Sequence, residues 1–386
     1  MHKPAPPAHI EISKSAIEHN FKFLRELLGE EVLITSVVKG NAYGHGIEAY
    51  CPLVKEAGIT HFCTYSADEA YQVWQATEGM ATIIVMGYKS IQALEWMIEN
   101  RIEFFVFEPS YLKEAKRIAQ KVGMPAKVHL EMETGMNRTG IEIDKLDDLL
   151  EYIRANQTHL VLEGICTHFA GAESISNYYR VQHQSKQFSK LVNRLTREGK
   201  LPPKVHAACS AASLRLPKSR YNMVRIGIMQ YGFFPSNESW VEYANQHENF
   251  EFPLKRVISW KSKVMSIKEV KTGEFIGYGT SYFANSPTRI AIVPVGYGLG
   301  FDRNLSNQGK VIIKGKRVNV IGIVNMNALT VDITELSDVQ LGEEVVLIGK
   351  QGEAELSVAS FSDISKLVNY ELLTRLPAQI PRLVVD

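Results

Sequence analysis

The chain has 386 residues, more than one average domain and enough for two. Hydrophobic residues make up 45% and charged residues 22%, the balance of an ordinary globular protein, and a net charge of +1 excludes the global field that gathers nucleic acid or acidic membrane. The four cysteines, Cys51, Cys63, Cys166 and Cys209, form neither a C-x-x-C pair nor a zinc spacing, which points to free thiols in a reducing compartment. The opening MHKPAPPAHIEIS has no apolar run of signal-peptide length, and nothing approaches the roughly 18 apolar residues of a membrane span. The expectation is a cytoplasmic protein with no membrane or nucleic-acid partner.

From residue 33 onward one rhythm repeats. Short β-branched runs occur at LITSVVK (33–39), HFCTY (61–65), TIIVMG (82–87), EFFVFE (103–108), KVHLEME (127–133), LVLEGICTHFA (160–170), KVHAACS (204–210) and VRIGIMQYG (224–232). Amphipathic stretches such as SADEAYQVWQA and PSYLKEAKRIAQK separate them. Strands alternating with helices predict βαβ units and a parallel sheet, and about eight runs is the strand number of a (β/α)₈ TIM barrel. An open doubly wound sheet would need a Gly-rich phosphate turn after its first strand, and none is there. Beyond about residue 245 strands follow one another without helices, as in RVISWKSKVMSIKEV, TRIAIVPVGYG and GKVIIKGKRVNVIGIVN. Asn307-Gln308-Gly309 and Lys314-Gly315-Lys316 read as hairpin turns. The predicted organisation is a barrel over 12–245 and a mostly-β domain over 246–386, with residues 1–11 packing on the latter. The boundary falls in the polar segment FFPSNESWVEYANQHENFEFPL.

A barrel's active site forms at the C-terminal ends of its strands. Lys39 ends the first strand there, and its amine suits a Schiff base with a carbonyl cofactor, although position alone more often means a solvated strand-end lysine. Loops after strands 7 and 8 often hold a phosphate; here they offer Ser210 with Ala211 and Ala212, and Gly227, a pattern that tight helix–strand packing also uses. Arg138 lies beyond strand 5, where its planar fork fits a carboxylate, and Glu131 on that strand is placed to pair with it. His168 closes strand 6 and Arg225 opens strand 8, at the same end of the barrel. The glycines of GYGLG (296–300) do not open a helix, so they make no dinucleotide fingerprint. His45, His168 and His206 lack metal-ligand spacing, so no metal is expected.

The segment SVVKGNAYGHG resembles the cofactor-lysine motif of the alanine racemase family, and HIEISKSAIEHNF, TGMNRTG, THFA, HAACSAA, VRIGIMQYG, PVGYG and LSNQGKVIIKGKRVNVIGIVNMNALTVDIT follow the family's order over nearly the whole chain. The resemblance implies a pyridoxal 5'-phosphate (PLP) barrel joined to a C-terminal β domain, in a head-to-tail homodimer with shared active sites acting on a small amino acid. It implies that Lys39 binds PLP and moves a proton, that Tyr297 from the partner subunit is the second base, and that Tyr43, Ser210 and Gly227 contact the phosphate. By the same likeness Arg225 faces the pyridine nitrogen with His168 in support, and Arg138 with the backbone at Met326 holds the substrate carboxylate. Racemisation needs proton exchange on both faces of a planar intermediate, which two opposed bases supply.

Four positions depart from the family's pattern. Glu131 stands where a lysine, sometimes carbamylated, is frequent; GYGLG lacks the acidic residue of the common G-Y-A-D-G; Asn325-Met326-Asn327-Ala328 replaces the common C-M-D-Q; and Ala378 stands where some members carry a tyrosine. The asparagine after the methionine resembles racemases of broader specificity, so a broad or serine-preferring racemase is the alternative to alanine. A non-catalytic PLP-binding protein would lack the long β domain, and a related decarboxylase would carry a different β-domain signature.

Overall fold

A computed structural model of the chain describes residues 6–246, 251–358 and 369–386; residues 1–5 and 247–250, which belong to the expected N-terminal and boundary segments, lie outside the described residues. Two compact units emerge. The barrel unit is Ala16–Lys39 with Tyr50–Lys255, and the β unit is Met1–Ser15 with Gly40–Ala49 and Arg256–Asp386. Strands are numbered along the chain from β1 (Ala8–Ser13), which lies in the β unit.

In the barrel unit run β2 (Leu33–Val37), β3 (His61–Thr64), β4 (Thr82–Val85), β5 (Glu103–Val106), β6 (Ala126–Glu131), β7 (Leu160–Cys166), β8 (Lys204–His206) and β9 (Met223–Ile226). All pair in parallel, in the order β8-β7-β6-β5-β4-β3-β2-β9. The eight strands form a nearly closed barrel, as the alternating rhythm predicts. The seam between β8 and β9 has no ladder; it is bridged at Cys209 and Arg225, where the Arg225 N–H donates to the Ala208 carbonyl at 3.0 Å. Strands β2 to β5 are buried along nearly their whole length because helices cover one face and the barrel interior the other. The helix Ser110–Val122 shows the matching pattern: Leu112, Ala115, Ile118 and Ala119 make its buried stripe, and Gly123, at φ 76°, stops it in the left-handed conformation.

The expected boundary segment is more ordered than its polarity suggests. Ser236 caps a helix over Asn237–Asn245 through a reciprocal capping box with Ser239. Phe252 meets Phe234 edge-on and Trp240 at a tilt, at ring distances of 5.3 and 5.0 Å, and Asn20 bonds both backbone groups of Lys255. These contacts hold the chain to the barrel unit as far as Lys255.

In the β unit, β1 pairs with β10 (Ile258–Lys263) and, in parallel, with β18 (Arg382–Val385). That sheet continues through β16 (Glu344–Gln351) and β13 (Lys310–Ile313) to β14 (Lys316–Asn319), and β17 (Ala354–Leu356) pairs with β16. A second sheet joins β11 (Ser266–Val270), β12 (Thr288–Val293) and β15 (Leu329–Asp332). Lys314-Gly315 is the two-residue hairpin between β13 and β14, both residues at positive φ. Asn307-Gln308-Gly309 is no hairpin: it follows a 3₁₀ turn over Arg303–Leu305 and leads into β13. The segment Gly40–Ala49 belongs to this unit although the sequence around it reads as barrel, because Tyr43 meets Tyr370 edge-on at 6.4 Å and Arg382 donates to the Gly44 carbonyl at 2.9 Å. No helix among the described residues is long and apolar enough to cross a membrane.

Candidate active site

Lys39 follows β2 at the C-terminal mouth of the barrel. The residue surface is open to solvent, yet protein surrounds the amine on most sides; that burial, and next the Arg138 charge, push its pKa below the usual lysine value. Arg225, on β9, is only 4% exposed. Its guanidinium donates to the Thr167 carbonyl at 2.9 Å, to those of His206 and Ala207 at 3.2 and 3.3 Å, and to the imidazoles of His206 and His168. Every one of these acceptors is neutral. His168 lies 3.3 Å from Arg225, and burial, then the Arg225 charge, push its pKa to about 3. It is therefore a neutral acceptor at any physiological pH.

Ser210, which opens a short helix, accepts a hydrogen bond from the Gly227 N–H at 3.0 Å, so two of the expected phosphate residues sit together beyond β8 and β9. Arg138 is exposed in the loop after β6, and among the described residues no ion pair joins it to Glu131. Thr139 instead donates to the Glu131 carboxylate at 3.0 Å. Burial pushes the Glu131 carboxyl above the usual range; Thr139, Arg225 and Arg138 oppose that shift in decreasing order. Arg138 thus acts on Glu131 through its field and not through a direct bond.

The β unit carries the remaining candidates. Tyr43 lies in a left-handed turn: Gly40, Asn41, Ala42 and Tyr43 have φ of 64°, 53°, 53° and 51°. Such backbone costs about 1–2 kcal/mol per non-glycine residue and persists only where its surroundings over-determine it. They do. Buried His45 donates through Nδ1 to the Ala42 or Tyr43 carbonyl, the Ile47 N–H donates to the Asn41 side chain at 2.9 Å, and a Cβ on Gly44 would lie 1.9 Å from the Leu373 oxygen. Tyr297 and Met326 are neighbours: the Tyr297 N–H donates to the Asn325 carbonyl at 3.0 Å and the Gly298 N–H to the Met326 carbonyl at 2.8 Å. Gly296 permits this approach, since a Cβ there would meet the Asn325 oxygen at 2.0 Å. Both side chains are open to solvent, Tyr297 at 44% and Met326 at 56% exposure.

Sequence reasoning missed His206 and Thr139 as members of the mouth. The signal for His206 was present, since it lies on the strand that ends near Ser210, but a lone histidine on an apolar strand reads as core.

Residues 12–235 match the family model described as alanine racemase, N-terminal domain, and residues 257–384 match alanine racemase, C-terminal domain. The chain is 34% identical to alanine racemase 1 of Caldanaerobacter subterraneus, over 97% of this chain and 94% of the relative. It is 33% identical to alanine racemase of Leptospira interrogans, over 98% and 95%. Among solved structures, alanine racemase of Clostridium difficile superposes with a TM-score of 0.89 at 30% identity, covering 99% of this chain and 97% of that one. The alanine racemase of Bacillus anthracis with bound L-Ala-P does so at 0.88 and 32%, covering 100% and 96%.

Proposed function

The chain belongs to the alanine racemase family, and from that premise we propose that it is a PLP enzyme interconverting L- and D-alanine, with Lys39 and Tyr297 as its two bases. The observation that carries this reading is the barrel mouth: strand-end Lys39 shares it with buried Arg225, whose hydrogen-bond acceptors are all neutral.

The residues present fit the cofactor. Lys39 supplies the amine that its aldehyde requires, the Ser210 hydroxyl, which accepts from the Gly227 N–H, keeps its own proton to donate to the phosphate, and by the family likeness Tyr43 adds a hydroxyl. Bound PLP would supply an electron sink for the charge left when the substrate Cα loses its proton. Arg225, facing the ring nitrogen, would disfavour protonation there and so limit how deep that sink is. His168 and the carbonyls around Arg225 keep its fork in one orientation. Lys39, with its lowered pKa, is suited to hold and release a proton on one face of the substrate. Tyr297 does so on the other face, and Arg138 with the Met326 backbone holds the carboxylate. Glu131 provides a built-in negative charge beside Arg138, so no modified lysine is required.

The same reading makes the protein a cytoplasmic homodimer in which the barrel domain of one subunit receives Tyr297 and Met326 from the other. The solvent exposure of both residues on the β unit supports it, and free cysteines suit a reducing compartment. The test is to incubate the purified protein with single L-amino acids and measure each D-product by chiral chromatography. D-alanine from L-alanine is expected; its absence sinks the proposal, and comparable rates with serine would favour the broader enzyme suggested by Asn327.

A further inference from the structure

Behind Arg225 the barrel interior contains a chain of buried polar groups that the proposed reaction does not use. His206 receives the guanidinium on Nδ1; the two imidazoles meet between His206 Nε2 and His129 Nδ1 at 2.9 Å; His129 Nε2 lies 2.7 Å from the Glu103 carboxylate; and Lys204 caps the other Glu103 oxygen at 2.5 Å. Both histidines are fully buried and Glu103 is 2% exposed. Glu103 and Lys204 open β5 and β8, so the chain runs from the N-terminal end of the barrel to its mouth.

The proton positions follow from the two ends. A guanidinium only donates, so His206 Nδ1 accepts and its proton sits on Nε2. That proton leaves His129 Nδ1 as acceptor and places the His129 proton on Nε2, where an ionised Glu103 accepts it. The charges agree: against burial, the His129 N–H and the charged Lys204 amine hold the Glu103 carboxyl below its usual range, while burial holds both histidines below their usual value and so favours their neutral forms. From Arg225 through both imidazoles to Glu103 the hydrogen bonds thus all point one way, and bonds so aligned polarise one another.

The fold makes specific room for this chain. The β6–β7 register shifts between Val128 and His129, and opposite the ring stands Gly164, where a Cβ would lie 2.2 Å from His129 Nδ1. Phe105 packs on both imidazoles at 5.8 and 5.6 Å. At the far end, Glu163 lies 3.4 Å from Lys204 and from Lys127.

We propose that Glu103 and His129 are positioning residues that act through His206: the carboxylate at the bottom of the barrel fixes the tautomer of both imidazoles and sets how strongly Arg225 can donate at the mouth. The proposal rests on the PLP reading for its consequence, since a guanidinium drawn toward His206 is a weaker donor to a ring nitrogen on its other side.

The decisive measurement is nitrogen NMR of the holoenzyme with ¹⁵N-labelled histidine, comparing wild type with Glu103→Gln and Lys204→Met. In the wild type both imidazoles carry the proton on Nε2. Glu103→Gln removes the anion, leaves Arg225 less drawn toward His206 and so a stronger donor at the mouth, and changes kcat about 10-fold with little change in KM, the scale expected when a carboxylate that orients a histidine is lost. Lys204→Met removes the cation that competes for Glu103. The two variants therefore move the His206 Nδ1 resonance in opposite directions. Movement in the same direction, or none, overturns the proposal, as does a wild type with mixed tautomers or an unchanged kcat in Glu103→Gln. Should Glu103→Gln fail to fold, Lys204→Met decides alone: an upfield shift of His206 Nδ1, the mark of a stronger acceptor, supports the proposal, and a downfield shift or none overturns it. A wild type with the expected imidazole pattern but no racemisation would fail the functional reading and leave the tautomer assignment standing.

Discussion

The two units hold their candidate residues in opposite ways. In the barrel unit Arg225, Ser210 and Glu131 are buried and bonded to side chains or backbone of the same unit. In the β unit Tyr297 and Met326 are fixed by their backbones while their side chains face solvent. One half is preorganised, the other is presented. A preorganised site gains its rate from groups that need no rearrangement, whereas a presented group gains nothing until a surface is brought to it.

The contrast sharpens first at Lys39. Lys39→Ala should abolish racemisation in both directions, by roughly 10⁴-fold or more, since one residue would both bind the cofactor and move a proton. Residual activity within about tenfold of wild type would remove it from the mechanism. Tyr297→Phe should cost about 10²–10⁴-fold. Co-expressing it with Lys39→Ala should restore part of the activity, because one site of a mixed dimer would keep both bases. If the mixture is as inactive as its components, the presented tyrosine does not serve another subunit.

Stability tests the preorganised half. Gly164→Ala forces a methyl group against His129, an overpacking that should cost about 1–3 kcal/mol and lower the melting temperature. An effect of similar size, visible only as a pH dependence, is expected at Lys89. Its amine is buried among Phe104, Phe107 and Tyr111, at 5.7, 4.6 and 4.4 Å from their ring centres, with no carboxylate at ion-pair distance among the described residues. Burial, opposed by the Glu131 charge, pushes its pKa down to about 8. Between pH 8 and the usual lysine value the unfolded chain binds this proton and the folded one does not, so stability should rise with pH across that window. The gain is about 2–3 kcal/mol, and Lys89→Met should flatten that rise in chemical-denaturation curves. An equal slope in both proteins would show that the amine is solvated.

The barrel strands were legible in the sequence because their short β-branched and aromatic runs alternate with amphipathic stretches, and Lys39 was legible because a motif surrounds it. What stayed hidden depends on contacts distant in the chain. Gly40–Ala49 belongs with residues 370–382, and nothing local announces a partner more than 300 residues away. The helix at Asn237–Asn245 hid in polar composition, although Ser236 was a readable cap. The histidine chain needs four strands and one missing methyl group to exist, so His129 and Glu103 looked like isolated polar residues in apolar runs. Arg138 and Glu131 looked paired by proximity on one strand end, but Thr139 is the nearer donor.

The seam between β8 and β9 gives Arg225 a second duty. Where a strand ladder is missing, this one residue laces the wall shut, its backbone to Ala208 and its fork to the carbonyls of Thr167, His206 and Ala207. Architecture and chemistry are thereby inherited as one trait: a lineage that drifts at this position to retune the cofactor must at the same stroke find another fastening for the barrel.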